Sequence, residues 1–474
     1  CHSTHLQKNY DPASRTFKTR WSEIDVSCEA CHGPGSNHVL WAQKKPGWEQ
    51  FEADLGLALR LDERKEVIWT IDPETGNAER SKPRHSEREI EMCARCHARR
   101  SPITSNYAHG DRLMDHYLPR RLDEGMYFAD GQMDDEVYVY GSFLQSKMYQ
   151  AGVTCSDCHE PHDLSLKAPG NGVCLQCHQA DRFDTPAHHF HEPGSAGASC
   201  AECHMPPRSY MVVDPRHDHS MRIPRPDLSV KIGTPNACNS CHQDQTPQWA
   251  AEQVSDWYGK VPTGFQQYAE VLQAARDSSP TTGRDLVTLI RDTQTPDIAR
   301  ATALTAIGPY VNRANVDVLA SGVTDSDPMV RAATLTALEQ LPQGLQVRLA
   351  WPLLSDPVRA VRIEAARLLS AIPTGDLAGD QRAQIDSAMG EYVDSQLAMA
   401  ERPEAQANLG NFYIARGDGD KAVAAYRTAI ALEPRFVPAR INLADFYSRS
   451  ADEAQAEAVL REGITENPSN GDLQ

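Results

Sequence analysis

The stretch Cys155-Ser-Asp-Cys158-His159-Glu-Pro-His162, with Cys174-Leu-Gln-Cys177-His178 soon after it, carries the reading of this chain. Each half is a CxxC pair with histidine at the next position. The same unit recurs at Cys28-Glu-Ala-Cys31-His32, Cys93-Ala-Arg-Cys96-His97, Cys200-Ala-Glu-Cys203-His204 and Cys238-Asn-Ser-Cys241-His242. Histidine is 18 of 474 residues, so a chance histidine after all six pairs has odds on the order of one in 10⁸ to 10⁹. Zinc ribbons and thioredoxin-like sites also use CxxC, but neither requires that adjacent histidine. The thirteenth cysteine opens the chain as Cys1-His2 and matches the end of a seventh unit cut after its first cysteine.

CxxCH is the attachment motif of c-type haem. Its two thiols form thioethers to the two vinyl groups on one edge of the porphyrin, and the next side chain reaches beneath the ring to the iron. This reading makes Cys1, Cys28, Cys31, Cys93, Cys96, Cys155, Cys158, Cys174, Cys177, Cys200, Cys203, Cys238 and Cys241 the tethers. It makes His2, His32, His97, His159, His178, His204 and His242 the proximal ligands. About seven covalent haems are then expected in the first 242 residues, where they take over much of the core.

Eleven histidines remain for the opposite coordination site. His38 follows the turn Gly33-Pro34-Gly35, and His162 is held off its own iron by Pro161, so both are expected to serve neighbouring haems. The cluster His188, His189 and His191 is expected to supply one or two ligands, and His219, His116 and His109 complete the set. His217 ranks below His219, and His5 and His85 read as surface residues. Met205, Met211 and Met221 are the competing ligands, a minority case given the histidine surplus.

Between the motifs the chain is rich in Gly, Pro and Asp. Val67–Ile71, followed by Asp72-Pro-Glu-Thr-Gly76, predicts a β-hairpin. Tyr138–Tyr149 predicts one helix carrying Lys147, and Trp249–Tyr258 predicts an amphipathic helix that closes the haem region near residue 262. Three segments then repeat, with prolines at 296, 328 and 357 and arginines at 300, 331 and 362, in the manner of HEAT-like helical pairs. From Leu409 the pattern Leu409-Gly410, Tyr413, Ala422, Tyr426, Ala429 and Pro434 returns 34 positions later as Leu443-Ala444, Tyr447, Ala456, Leu460, Gly463 and Pro468, the tetratricopeptide period. The expected class is mainly α: residues 1–262 a multihaem cytochrome c domain with little regular structure, then an α-solenoid of HEAT-like repeats (263–375) and tetratricopeptide repeats (376–474). A cut near 262 is expected to leave the haem part intact. Both ends of the sequence read as cut.

The 47 basic residues are outnumbered by 65 acidic ones, for a net charge of −18, which argues against a nucleic-acid ligand. No apolar run approaches the roughly 18 residues of a membrane-spanning helix.

The combination of the Cys1-His-Ser-Thr opening, Cys28-Glu-Ala-Cys-His-Gly-Pro-Gly35, Ala151-Gly-Val-Thr-Cys-Ser-Asp-Cys-His159, Cys203-His-Met-Pro206 and the repeat tail resembles the tetratricopeptide-repeat multihaem cytochromes c of bacteria. More distantly, the haem part is similar to the superfamily of pentahaem nitrite reductase, the tetrahaem cytochrome of ammonia oxidisers and octahaem hydroxylamine oxidoreductase. That resemblance implies closely stacked haem pairs and a periplasmic or outer-surface location after export. It leaves three functions open. The first is an electron carrier with mostly bis-histidine haems and repeats that dock redox partners or other copies of the chain. The second is an oxidoreductase acting on nitrite, hydroxylamine or a sulfur oxyanion at one open haem, with Tyr107, His109, Arg99 and Arg100 as candidates to line it. The third is a subunit of a haem filament. The lysine that replaces the motif histidine in nitrite reductases is absent from all seven motifs, which favours the carrier.

Overall fold

The structure, a computed structural model, describes residues 2–375 and 377–473, so the expected tether Cys1 lies outside the described residues. Among the described residues the fold is mainly helical, and the strands form five separate two-stranded antiparallel sheets.

Placing two cysteines three positions apart on one face requires a single helical turn, and the motifs form such turns at Cys28–His32, Cys155–Cys158, Cys200–His204 and Ala237–Cys241. None of these four helices buries a residue against protein. The motif helix Arg88–His97 is longer and does bury Glu89, Ile90, Met92 and Ala94. After the first of these helices, Gly33 (φ +76°) supplies the left-handed turn that throws the chain away.

The hairpin pairs Trp69–Ile71 with Ala78–Arg80, and its turn is tied by Asp72, whose carboxylate accepts from Glu74 N and Thr75 Oγ1. The single helix expected over Tyr138–Tyr149 is instead two short ones, Tyr140–Phe143 and Lys147–Gln150. Ser146 breaks it, accepting a hydrogen bond from Tyr149 N as an N-cap. The closing helix spans Pro247–Tyr258, capped by Thr246 with proline in its first turn.

Beyond it, helices Asp297–Ala306, Pro328–Leu338 and Arg359–Leu368 stack in series. The arginine spacing acquires a cause here: Arg300 bonds Asp325, Arg331 grips Asp356 in a fork at 2.7 and 2.9 Å, and Arg362 grips Glu391 at 2.7 Å twice. Each arginine thus reaches a carboxylate supplied by the following helical unit. Long helix Gly379–Leu397 leads into the antiparallel pairs Pro403–Ala415 with Gly419–Leu432 and Val437–Arg449 with Glu453–Glu466. Gly410 is small of necessity, because a Cβ there would stand 2.4 Å from the Tyr426 ring.

The core does not divide near residue 262. One buried cluster includes Leu122, Tyr127, Met133 and Tyr210 from the motif region together with Tyr268, Leu286, Ile298, Leu304 and Leu335 from the repeats. Leu122 N donates to Thr302 Oγ1 at 3.0 Å, Arg276 donates to the carbonyls of Leu122 and Tyr127, and Arg359 N donates to Asp115. A chain cut near 262 would lose this shared packing. The opening segment is also strapped to the tail: Lys8 pairs with Glu401 and donates to Ala398 O, and Arg15 donates to Ala431 O.

Candidate haem-binding site

No disulfide joins any two of the twelve described cysteines. Among the described residues no group of three His, Cys, Asp or Glu side chains converges as a metal site would require, so the CxxC pairs do not assemble into zinc clusters.

Histidines meet in pairs instead. His32 faces His162 with ring centroids 6.4 Å apart and planes 10° from parallel. His159 faces His219 at 6.3 Å and 24°, His204 faces His188 at 6.1 Å and 16°, and His242 faces His191 at 6.2 Å and 36°. Two imidazoles bound through Nε2 on opposite sides of one iron, each at about 2 Å as in other imidazole–metal bonds, place their centroids roughly 6.3 Å apart. Four of the six histidines in complete CxxCH motifs therefore face a second histidine at the spacing a six-coordinate haem iron needs.

The other ring nitrogen is tied back. Nδ1 of His32 lies 3.1 Å from Leu59 O, that of His204 2.7 Å from Arg222 O, and that of His219 2.9 Å from His217 O. His162 Nδ1 lies 3.0 Å from the Glu160 carboxylate, and His178 Nδ1 lies 2.8 Å from Asn77 Oδ1. An acceptor at Nδ1 holds the proton there and leaves the Nε2 lone pair free for a metal. Burial also pulls His159, His178, His188, His204 and His219 below the ordinary imidazole range, which keeps them neutral donors.

The remaining expected ligands are placed differently. His38 bonds Leu55 O through Nδ1 at 2.8 Å and packs on Trp41. His189 accepts at Nδ1 from His191 N. His109 meets His5 edge to face at 5.6 Å and accepts from Arg95 at 3.3 Å. His116 is buried with both nitrogens engaged, Nδ1 with Asn106 O at 2.7 Å and Nε2 with the Asp111 carboxylate at 2.9 Å, so neither nitrogen faces an open position. Among the described residues no histidine faces His97 or His178 at the paired spacing. Two contributions carry no sequence signal: Asn77, which orients His178 from a hairpin, and the aromatic group Phe190, Trp249 and Trp257 beside His191 and His242.

Successive motifs touch in chain order. Arg95 donates to Ala30 O at 2.8 Å, joining the motifs of His97 and His32. A hydrogen bond with Cys93, reinforced by burial, holds the Cys155 thiol well above its ordinary range. Cys200 is held up in the same way by Cys174. Burial pushes Cys158 up to about 11, with the nearby Cys177 adding to it, and does the same to Cys203 beside Cys238. Asn171 Oδ1 accepts from Cys200 N at 3.0 Å. Two histidine pairs instead join motifs two apart in the chain: His162, just past the motif of His159, faces His32, and His219, beyond the motif of His204, faces His159.

The donor set thus fits haem c: thiols paired three positions apart, neutral imidazoles at iron-bridging spacing, and four short motif helices that bury nothing against protein. Comparison with known proteins agrees on the class. Residues 148–183 match the doubled CXXCH motif family and residues 413–474 match the tetratricopeptide repeat family. The chain therefore carries the paired haem c attachment motif of multihaem cytochromes joined to a tetratricopeptide repeat. No curated protein and no solved structure matches the chain, and no helix among the described residues is long and apolar enough to cross a membrane.

Proposed function

We propose that this chain is a multihaem electron carrier. Its CxxCH motifs each hold one haem c, with Cys1-His2 as the end of a seventh site, and the haems form a series that follows chain order. The four histidine pairs at 6.1–6.4 Å carry this reading, because two strong neutral ligands close an iron to substrates while leaving it able to change oxidation state. Haem, when bound, supplies one-electron iron chemistry. The protein's part is to keep each imidazole neutral and aimed, through the Nδ1 acceptors, and to set neighbouring sites against one another, through contacts such as Cys93 with Cys155. The repeats are read as HEAT-like and tetratricopeptide modules that dock redox partners or further copies. Haem c attachment supports a location outside the cytoplasm, read here as the periplasm or the outer surface.

A pyridine haemochrome assay combined with intact mass tests the reading. Six or more covalent haems per chain are expected, and fewer than six would refute it.

A second reading rests on His97. No histidine faces it among the described residues, and beside its motif stand Arg95 stacked 3.6 Å over Tyr107, Arg100 stacked 3.7 Å over Tyr117, and His109. An open iron there with arginine donors at hand would suit reduction of a small oxyanion. Turnover of nitrite or hydroxylamine with a reduced dye would establish that reading in place of the carrier.

A further inference from the structure

If the haems form a series in chain order, its two ends differ. Among the described cysteines only Cys28 and Cys241, at the outer edges of the first and last complete motifs, are exposed, and all the inner ones are partly covered. The Cys28 end is overlaid by the opening segment, where Thr4 Oγ1 bonds Ser27 and Asp25 O and where Lys8 and Arg15 fasten that segment to the tail repeats. Among the described residues the Cys241 end carries no such strap.

The Cys241 end carries an aromatic bridge, with acidic residues near it in the chain. The His191 ring meets Trp257 edge to face at 6.2 Å, Trp257 stacks on Phe190 at 4.6 Å and 5°, and Phe190 meets Tyr258 at 5.7 Å. The bridge runs outward from an expected iron ligand to the surface, where Phe190 is 36% and Tyr258 43% exposed. Phe190 holds a left-handed backbone (φ +55°), a conformation that costs energy for an aromatic residue. Close to these aromatics in the chain stand the exposed carboxylates Glu192, Asp244, Glu252 and Asp256. Asp244 and Glu252 are bonded only to neutral amides, those of Gln245 and Gln248, and segment 242–262 contains one basic residue, Lys260. Exposed aromatic side chains accompanied by charged residues are the anatomy of a transient protein interface, and the sign of those charges selects the partner.

We infer that the haem at His242 and His191 is the port of the series, and that a positively charged one-electron carrier protein docks on Phe190 and Tyr258, drawn by these carboxylates. The inference rests on the electron-carrier reading above. In each transfer the ferrous iron at His242 gives up one electron and becomes ferric, and the oxidised cofactor of the partner takes that electron.

The test mixes the dithionite-reduced, desalted full-length holoprotein with an oxidised basic cytochrome c in a stopped-flow instrument. The second-order rate should fall about tenfold or more as salt rises from low levels to roughly 0.2 M. In the double variant E252K/D256K the low-salt rate should fall about tenfold, and binding of the oxidised cytochrome to the immobilised protein should weaken in parallel, with haem content and spectrum unchanged. In C238A/C241A, which lacks the tethers of the last motif, reduction of the other haems by dithionite should persist while transfer to the cytochrome is lost. Rates and binding that ignore both salt and E252K/D256K, or full transfer by C238A/C241A, would overturn the port. Absence of covalent haem, read before any partner is added, would instead overturn the carrier reading itself.

Discussion

His162 stands three residues beyond His159 yet faces His32, because Pro161 and the Glu160 contact turn its ring away from its own motif. Replacing it with alanine removes one side of that iron's coordination and leaves the protein fold around the exposed side chain largely untouched. H162A should convert one low-spin haem to high-spin and create a site that binds cyanide, read by optical and paramagnetic resonance spectra. H116A should do neither: His116 is committed to Asn106 O and Asp111, so its loss should cost about 1–3 kcal/mol of stability with no change of spin state. The contrast marks what was legible at this scale. Every expected proximal histidine is marked by its adjacent CxxC. A distal histidine is chosen by three-dimensional neighbours, so composition supplied the surplus but could not tell His116, a satisfied core residue, from His188.

Glu91, on the helix of the His97 motif, belongs to the same scale. Burial raises its carboxyl to about 7, opposed by the Leu113 backbone and reinforced by Glu87 and Asp115. Its ordinary value is 4.5, so between about 4.5 and 7 the folded protein keeps a proton the unfolded chain has lost. Stability contributed by this group is therefore present below that window and falls as pH rises through it, by roughly 3 kcal/mol at the limit. E91Q should be more stable than the parent at mildly alkaline pH and equal to it at acidic pH, as measured by urea denaturation. A parent whose stability is flat across the window would remove Glu91 from the account.

Among the elements, the arginine ladder shows most clearly how sequence pattern becomes structure. The recurrence of Arg300, Arg331 and Arg362 was visible in the sequence, but its meaning was not, because the carboxylates they grip lie 25 to 29 positions ahead with no shared motif. Arg331 and Asp356 are nearly buried, at 11% and 4% side-chain exposure. R331M would strand the Asp356 carboxylate in the core and should cost about 3–5 kcal/mol, whereas R331M/D356L should recover most of that loss. Equal stability of R331M and the parent would contradict the ladder. The helix broken at Ser146 was missed for a related reason: the apolar spacing around it is helical, and a single capping hydroxyl decided the break.

At the scale of the whole molecule, the repeats do more than hang from a cofactor domain. Composition changes abruptly near residue 262, which made a boundary look natural, but Tyr268 OH bonds Gln145 and Gln266 bonds the carbonyls of Gln145 and Ser220 from the motif region. A chain ending at 262 loses the partners of Tyr127, Leu122 and Met133. Such a truncation should yield aggregated or haem-poor protein, judged by haem content per chain after purification. A soluble fragment with full haem content would show that the shared core is dispensable.

The account stands on irons closed by two histidines. Paramagnetic resonance of the fully oxidised protein, with spins counted against covalent haem, measures that directly. Four low-spin ferric haems or more per chain are predicted, for the pairs His32 with His162, His159 with His219, His204 with His188 and His242 with His191. A spectrum dominated by high-spin iron would contradict it.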